Sequence, residues 1–123
     1  MTEMDVALKD ALQVDGAIAA AIGDYTSGMA LGTAGGDHTF DPAVAAATNT
    51  EVLKAKMRTM EMLGLKEKIE DILVTLGSQY HLIRPVTARS GKGLFIYLAL
   101  HRERANLAMA RHRLKQIEQN LDM

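Results

Sequence analysis

The sequence predicts an α/β layered domain in the order helix, two strands, helix, three strands, helix, and three observations carry that prediction. Two short runs, "AIAAAI" at residues 17–22 and "LFIYLAL" at 94–100, are apolar without alternation, which marks strands covered on both faces. Turn signals as short as Gly77-Ser78 separate the predicted strands, and short connections favour antiparallel neighbours. Three further stretches repeat apolar residues at helical spacing and supply the covering layers.

The elements follow in chain order. Met4, Leu8, Ala11 and Leu12 give residues 3–13 one apolar helical face, which "VDG" ends. Alanine-rich runs are good helix formers, so propensity alone would extend a helix through "AIAAAI". The turn residues of "GDYTSG" cut that run short and lead into "MALGTAGG", so the reading is strand, turn, strand. On strand alternation Ile18, Ala20 and Ile22 face one side and Ala17, Ala19 and Ala21 the other. If helices lie on both sides of the sheet, side chains this small are what the close layers require.

Asp41 before Pro42 places a capping residue ahead of proline at the first helical position, and Gly64 supplies the stop. A helix from Pro42 to Leu63 is about 33 Å long. Leu53, Met57 and Met60 form its stripe, continued backward through Ala46 and Asn49, widened by Val52 and flanked by Val44 and Thr48. Its methionines suit either core filling or adaptable contact at a second surface. The strand predicted from Ile69 to Leu76 alternates and carries Glu70 and Asp71 near its start, which suits an edge. "QYHLIRPVT" and "GLFIYLALH" follow, with the second central. The last helix, from about Glu103 to Leu121, buries Leu107, Ala110, Leu114, Ile117 and Leu121. Its other face bears Arg104, Arg111, Arg113 and Lys115 beside Arg102, either as a solvated surface or as a docking patch for an acidic partner.

Bulk properties exclude several function classes. A chain of 123 residues, 48% hydrophobic and 24% charged, makes one domain with a real core. A net charge of −1 argues against nucleic acid as a partner. The absence of cysteine removes disulfides and thiolate chemistry. No apolar run reaches the roughly 20 residues of a membrane span, and "MTEMDVALKD" lacks the features of a secretion signal, so a cytoplasmic protein is expected. Aromatic content of only 4%, with eight methionines, poorly suits an aromatic-walled ligand pocket.

No catalytic group, cofactor site or metal site is expected. His38, His81, His101 and His112 fall on separate elements, without the i,i+4 spacing that offers a metal two nitrogens. "SGKG" at 90–93 lacks the upstream glycine of a phosphate loop and lies between two strands. Asp37 and Asp41 flank His38 in a loop, and Glu70 and Asp71 are neighbours on a strand, so neither is a recognisable carboxylate pair. Ser27, Ser78 and Ser90 stand in turns without a nucleophile elbow.

The order of elements, together with "DGAIAAAIGDYTSGMALGTAG" near the start, resembles the Roadblock family, which includes dynein light chains and bacterial GTPase regulators. Three stretches carry the resemblance: the apolar strand with its D-x-x-x-G turn from Asp24 to Gly28, "EDILVTLGSQYHLIRPV" at 70–86, and "RANLAMARHRL" at 104–114. It covers nearly the whole chain. The resemblance implies a five-stranded antiparallel sheet in spatial order 2-1-5-4-3, with the long helix on one face and the two terminal helices on the other. That agrees with reading the hairpin and last strand as apolar on both faces.

It also implies a homodimer formed through the third strand and the long helix. The interface candidates are then Val52, Lys56, Thr59 and Met60 on the helix, and Ile69, Glu70, Ile72 and Val74 on the strand. The function implied is a non-enzymatic, bacterial-type adaptor or regulator of a Ras-like small GTPase. Arg84, Arg89, Arg102 and Arg104 are ordinary arginines in this respect, none marked as a catalytic finger. A small-ligand-sensing α/β/α module is the alternative.

Overall fold

The computed structural model describes residues 3–87 and 93–121. The elements are α1 (Met4–Leu12), β1 (Ala17–Asp24), β2 (Met29–Gly35), α2 (Pro42–Met62), β3 (Ile72–Thr75), β4 (Gln79–Pro85), β5 (Leu94–His101) and α3 (Leu107–Asn120). The strands form one antiparallel sheet in the order β2-β1-β5-β4-β3. α1 and α3 pack on one face, around Leu8, Ile22, Leu82, Leu98 and Leu114. α2 packs on the other, around Ala21, Leu53, Ile83, Phe95 and Tyr97. The predicted layers and strand order are those observed.

Central position explains the two apolar runs. β5 is buried from Leu94 to Leu100, and in β1 Ala19, Ala20 and Ala21 are completely shielded. The pairs Ala20↔Leu98 and Ala21↔Tyr97 set a small side chain beside a large one on each face. Gly23 carries the same logic further. A Cβ there would stand 2.5 Å from the Phe95 ring, so the aromatic side chain needs a bare backbone beneath it.

Local chemistry ends the elements as the sequence indicates. Asp24 Oδ1 accepts from Thr26 N (2.8 Å) and Thr26 Oγ1 (2.6 Å), and Gly28 N donates to the Asp24 carbonyl (2.7 Å), closing the β1–β2 turn. Asp41 caps α2 by accepting from Ala43 N and Val44 N. α2 ends in a Schellman motif: Gly64, at φ +70°, donates to Glu61 O and Leu65 donates to Met60 O.

Five expectations are corrected. Ile18 does not share a face with Ile22. β1 bulges between Ala17 and Ala19 against Leu100 and Ala99, so Ala17 packs on the α1/α3 side and Ile18 on the α2 side. β2 is not covered on both faces either: it is an edge, alternately exposed, with Met29 and Leu31 open to solvent.

β3 has four residues, not the eight from Ile69 to Leu76. Val86 N donates to Leu94 O across β5, so alternation turns the backbone of Pro85 toward β3, where it has no N–H to give. Continuing the register would set Glu70 opposite Pro85. α3 starts at Leu107, capped by Asn106 Oδ1 accepting from Met109 N, because residues 102–104 form a turn whose carbonyl acceptor is His101. Arg104 therefore precedes the helix. Along α2, Val52 is 42% exposed and does not widen the buried stripe. Thr50 is buried there instead, its hydroxyl donating to the Ala46 carbonyl.

Candidate functional site

Two surfaces follow from this architecture, one on each face of the sheet. On the first, α2 lies over β1 and β2. Ile72 and Val74 of β3 pair with Ile83 and His81 of β4 and are half-buried on this side. Met57 and Met60 of α2 are half-buried, while Val52, Lys56 and Thr59 are exposed. Ile69 leaves the strand and packs into the α2-side core. Val52, Lys56, Thr59 and Met60 thus lie along α2, over the β1–β2 side of the sheet, while Ile72 and Val74 stand on the β3 edge at its other end.

An open cleft of about 560 Å³ runs between the C-terminal half of α2, the segment after it and the end of β4. Tyr25, Met57, Met60, Leu65, Ile69 and Val86 supply much of its wall. The Schellman turn creates part of this cleft, since it swings Leu65 back beside Met60.

Beside the edge, His81 stands between two rings, at 5.9 Å from Phe40 and 5.5 Å from Tyr97, both edge-on. Its Nε2 lies 2.7 Å from Gln79 Oε1, the contact made by the Nε2–H tautomer. Burial holds the His81 pKa below the ordinary imidazole value and pushes Tyr97 up to about 12. The Tyr97 hydroxyl is buried without a hydrogen-bond partner among the described residues. The contacts shown for this aromatic trio are edge-on packing and the Gln79 hydrogen bond.

The second surface lies on the α1/α3 side and is built from two ion pairs. Arg84 of β4 donates from Nε to Glu118 Oε1 (3.0 Å) of α3, and Glu118 Oε2 accepts from Thr87 N (3.2 Å) and Thr87 Oγ1 (3.1 Å). Glu118 is 1% exposed and Arg84 7%. Arg111 donates from Nη2 to Asp71 Oδ1 (2.6 Å) and from Nε to Asp71 Oδ2 (3.0 Å), a fork on fork pair that raises the arginine pKa. Between the two pairs lies a pocket of about 270 Å³ lined by Glu70, Asp71, Arg84, Arg111, His112 and Lys115. Glu70 therefore borders this face, apart from Ile72 and Val74.

Of the three expected docking cations, Arg111 is engaged by Asp71, while Arg104 and Arg113 are exposed. Glu118 is the residue sequence reasoning missed. Its one signal is position: it lies four residues after Leu114, within the apolar stripe.

No group of three or more His, Cys, Asp or Glu among the described residues is placed to hold a metal ion. Asp37 caps its own loop, accepting from Thr39 N and Oγ1 and from Phe40 N, which lowers its pKa. The "SGKG" stretch up to Lys92, with Arg89 and Ser90, lies outside the described residues. No described helix is long and apolar enough to cross a membrane.

No protein-family model matches the chain, and no curated protein does. Solved structures do. A Roadblock/LC7 domain from Streptomyces avermitilis superposes with a TM-score of 0.79 at 14% identity, over 96% of this chain and 93% of that one. Myxococcus xanthus MglB gives 0.73 at 16% identity, over 93% and 77%. MglC from the same organism gives 0.60 at 21% identity, over 94% and 92%. With the sheet order, the layer arrangement and the caps in place, these superpositions make the chain a Roadblock-type domain in fold.

Proposed function

We propose that this chain is a non-enzymatic homodimeric adaptor that pairs with its copy through β3 and a flank of α2, and that engages a Ras-like small GTPase. The observation that carries this reading is the β3 edge. It has no neighbouring strand on its outer side and carries half-buried Ile72 and Val74, with Ile72 bordering the same α2-side core as Met57. Pairing of two such edges about a two-fold axis covers both without new parts. The likeness to MglB structures, one of them described as MglB with a tetrameric arrangement, supports an assembling role. The GTPase partner rests on the family resemblance. The docking face for an acidic segment of a partner is the basic surface of α3.

The test is light scattering on wild type and on Ile72→Lys or Val74→Lys, with a cytosolic pull-down in the presence of nucleotide. Dimer mass for wild type, monomer mass for folded variants and recovery of a small GTPase by wild type support the reading. An unchanged mass in the variants overturns the interface.

One observation favours a second reading, a small-ligand sensor. The 560 Å³ cleft has the size and largely apolar lining of ligand sites, although Tyr25 is the one aromatic residue in its wall. Native mass spectrometry of the purified chain decides it: a bound small molecule released on unfolding supports the sensor, and a bare chain mass removes it.

A further inference from the structure

We propose that the pocket between the two ion pairs receives a carboxylate from an acidic peptide segment of a protein partner. The inference rests on the adaptor reading and gives its docking face a specific receptor. Three observations carry it.

First, α3 segregates charge. Its exposed face bears Arg111, His112, Arg113 and Lys115, and the one acid of the helix, Glu118, is buried. The helix itself thus offers only cations to solvent, and the carboxylates beside them, Asp71 and Glu70, come from the segment before β3. An acidic segment is the complementary partner.

Second, the arginines are held from behind. Glu118 takes Arg84 Nε, while the remaining guanidinium N–H groups of Arg84 have no partner among the described residues, although its side chain is only 8% exposed. Arg111 spends Nε and Nη2 on Asp71 and keeps Nη1. A guanidinium fixed on one edge by a carboxylate presents its other edge without further loss of rotamer freedom. The remaining N–H groups of Arg84 are not shut away from solvent, so an incoming carboxylate replaces water on a guanidinium that is already in place.

Third, Lys115 lines the same pocket and has no ion-pair partner among the described residues. The volume of about 270 Å³ accommodates an aspartate or glutamate side chain. Glu70 is the one lining carboxylate outside both ion pairs, and its charge opposes an incoming anion.

The experiment is a titration of the isotope-labelled full chain with an acetylated Gly-Asp-Glu-Asp-Gly peptide, its Asn/Gln analogue and inorganic phosphate, followed by amide NMR. The expected result is a set of shifts centred on Arg111, His112 and Lys115 with the acidic peptide alone. Lys115→Gln weakens binding about tenfold, the effect of one charge-assisted hydrogen bond. Glu70→Gln tightens it, a gain that a purely structural residue would not produce.

The proposal is overturned by shifts spread evenly over Arg104 and Arg113, by Arg113→Gln weakening binding as much as Lys115→Gln, or by Glu70→Gln leaving affinity unchanged. Phosphate binding as tightly as the peptide overturns the peptide assignment. Sedimentation of the same samples separates the two readings, because an intact dimer that ignores the peptide removes this pocket alone.

Discussion

Arg111 and Asp71 join the last helix to the residue that precedes the edge strand, forty positions away in the chain, through two parallel N–H···O contacts. The pair sits at the point where the backbone stops being irregular and becomes β3. Asp71 is nearly buried and Arg111 is 46% exposed, so solvent screens one end of the pair only. Its role is placement: α3 holds the residue just ahead of the strand that Pro85 limits.

Asp71→Asn is therefore expected to change global stability by under about 1 kcal/mol, in the range of partly exposed pairs. Amide exchange across Ile72–Thr75 should nonetheless quicken. Exchange unchanged in β3, with α3 intact, would show that the ladder to β4 alone holds the edge.

The Arg84–Glu118 pair behaves differently because both members are buried. Glu118→Leu leaves a guanidinium without its counter-charge and is expected to cost about 3–5 kcal/mol. Combining it with Arg84→Met should recover most of that loss, since two apolar groups of similar volume replace the pair. Urea denaturation of both single variants and the double variant measures the coupling; additive losses would mean that the two side chains do not depend on each other.

Much of the fold is legible in the sequence, for physical reasons that differ by element. β1 and β5 are readable because burial on both faces removes alternation, and α2 because Asp41, Pro42 and Gly64 mark its ends. The length of β3 is not readable from β3. It is set by Pro85 on the neighbouring strand, a partner that only the tertiary ladder names. The bulge that reverses Ile18 leaves no local mark in a run of alanines. The ion pairs are hidden likewise, since Arg84 shares a face with Leu82 and meets a glutamate 34 residues later. The basic face was visible as composition, but which arginine was already engaged was not.

His81 and Tyr97 predict how stability responds to pH. The folded chain resists protonating His81, so its unfolded form takes up the proton first, and stability falls as pH drops below about 6.5. Among the described residues the ring stands against Phe40 and Tyr97 and meets the uncharged amide of Gln79, and desolvation is the cause of the shift. Tyr97 acts at the other end. The folded state keeps its proton up to about 12 while the unfolded chain ionises near 10, so stability falls between these values as pH rises. Tyr97→Phe should flatten that alkaline arm and, by removing a buried hydroxyl with no partner, raise the urea midpoint at neutral pH. A lower midpoint would reveal a partner for the hydroxyl.

The alanines of β1 yield the last prediction. Ala20 faces the α1/α3 layer and Ala21 the α2 layer, both with no exposed surface. The strand lies in the middle of three layers, so the distance from the sheet to each helix is limited by what stands on β1. Adding hydrophobic surface at such a site increases the transfer gain but forces neighbours out of their rotamers. Overpacking of this kind typically costs about 1–3 kcal/mol. Ala21→Leu would press on Leu53 and Tyr97, and Ala20→Leu on Ile22, Leu98 and the helices above them. Both variants are expected to lower the urea midpoint despite being more hydrophobic than wild type. A midpoint that rises in either would show a void over that face, and the alanines would then reflect helix spacing that the layers do not need.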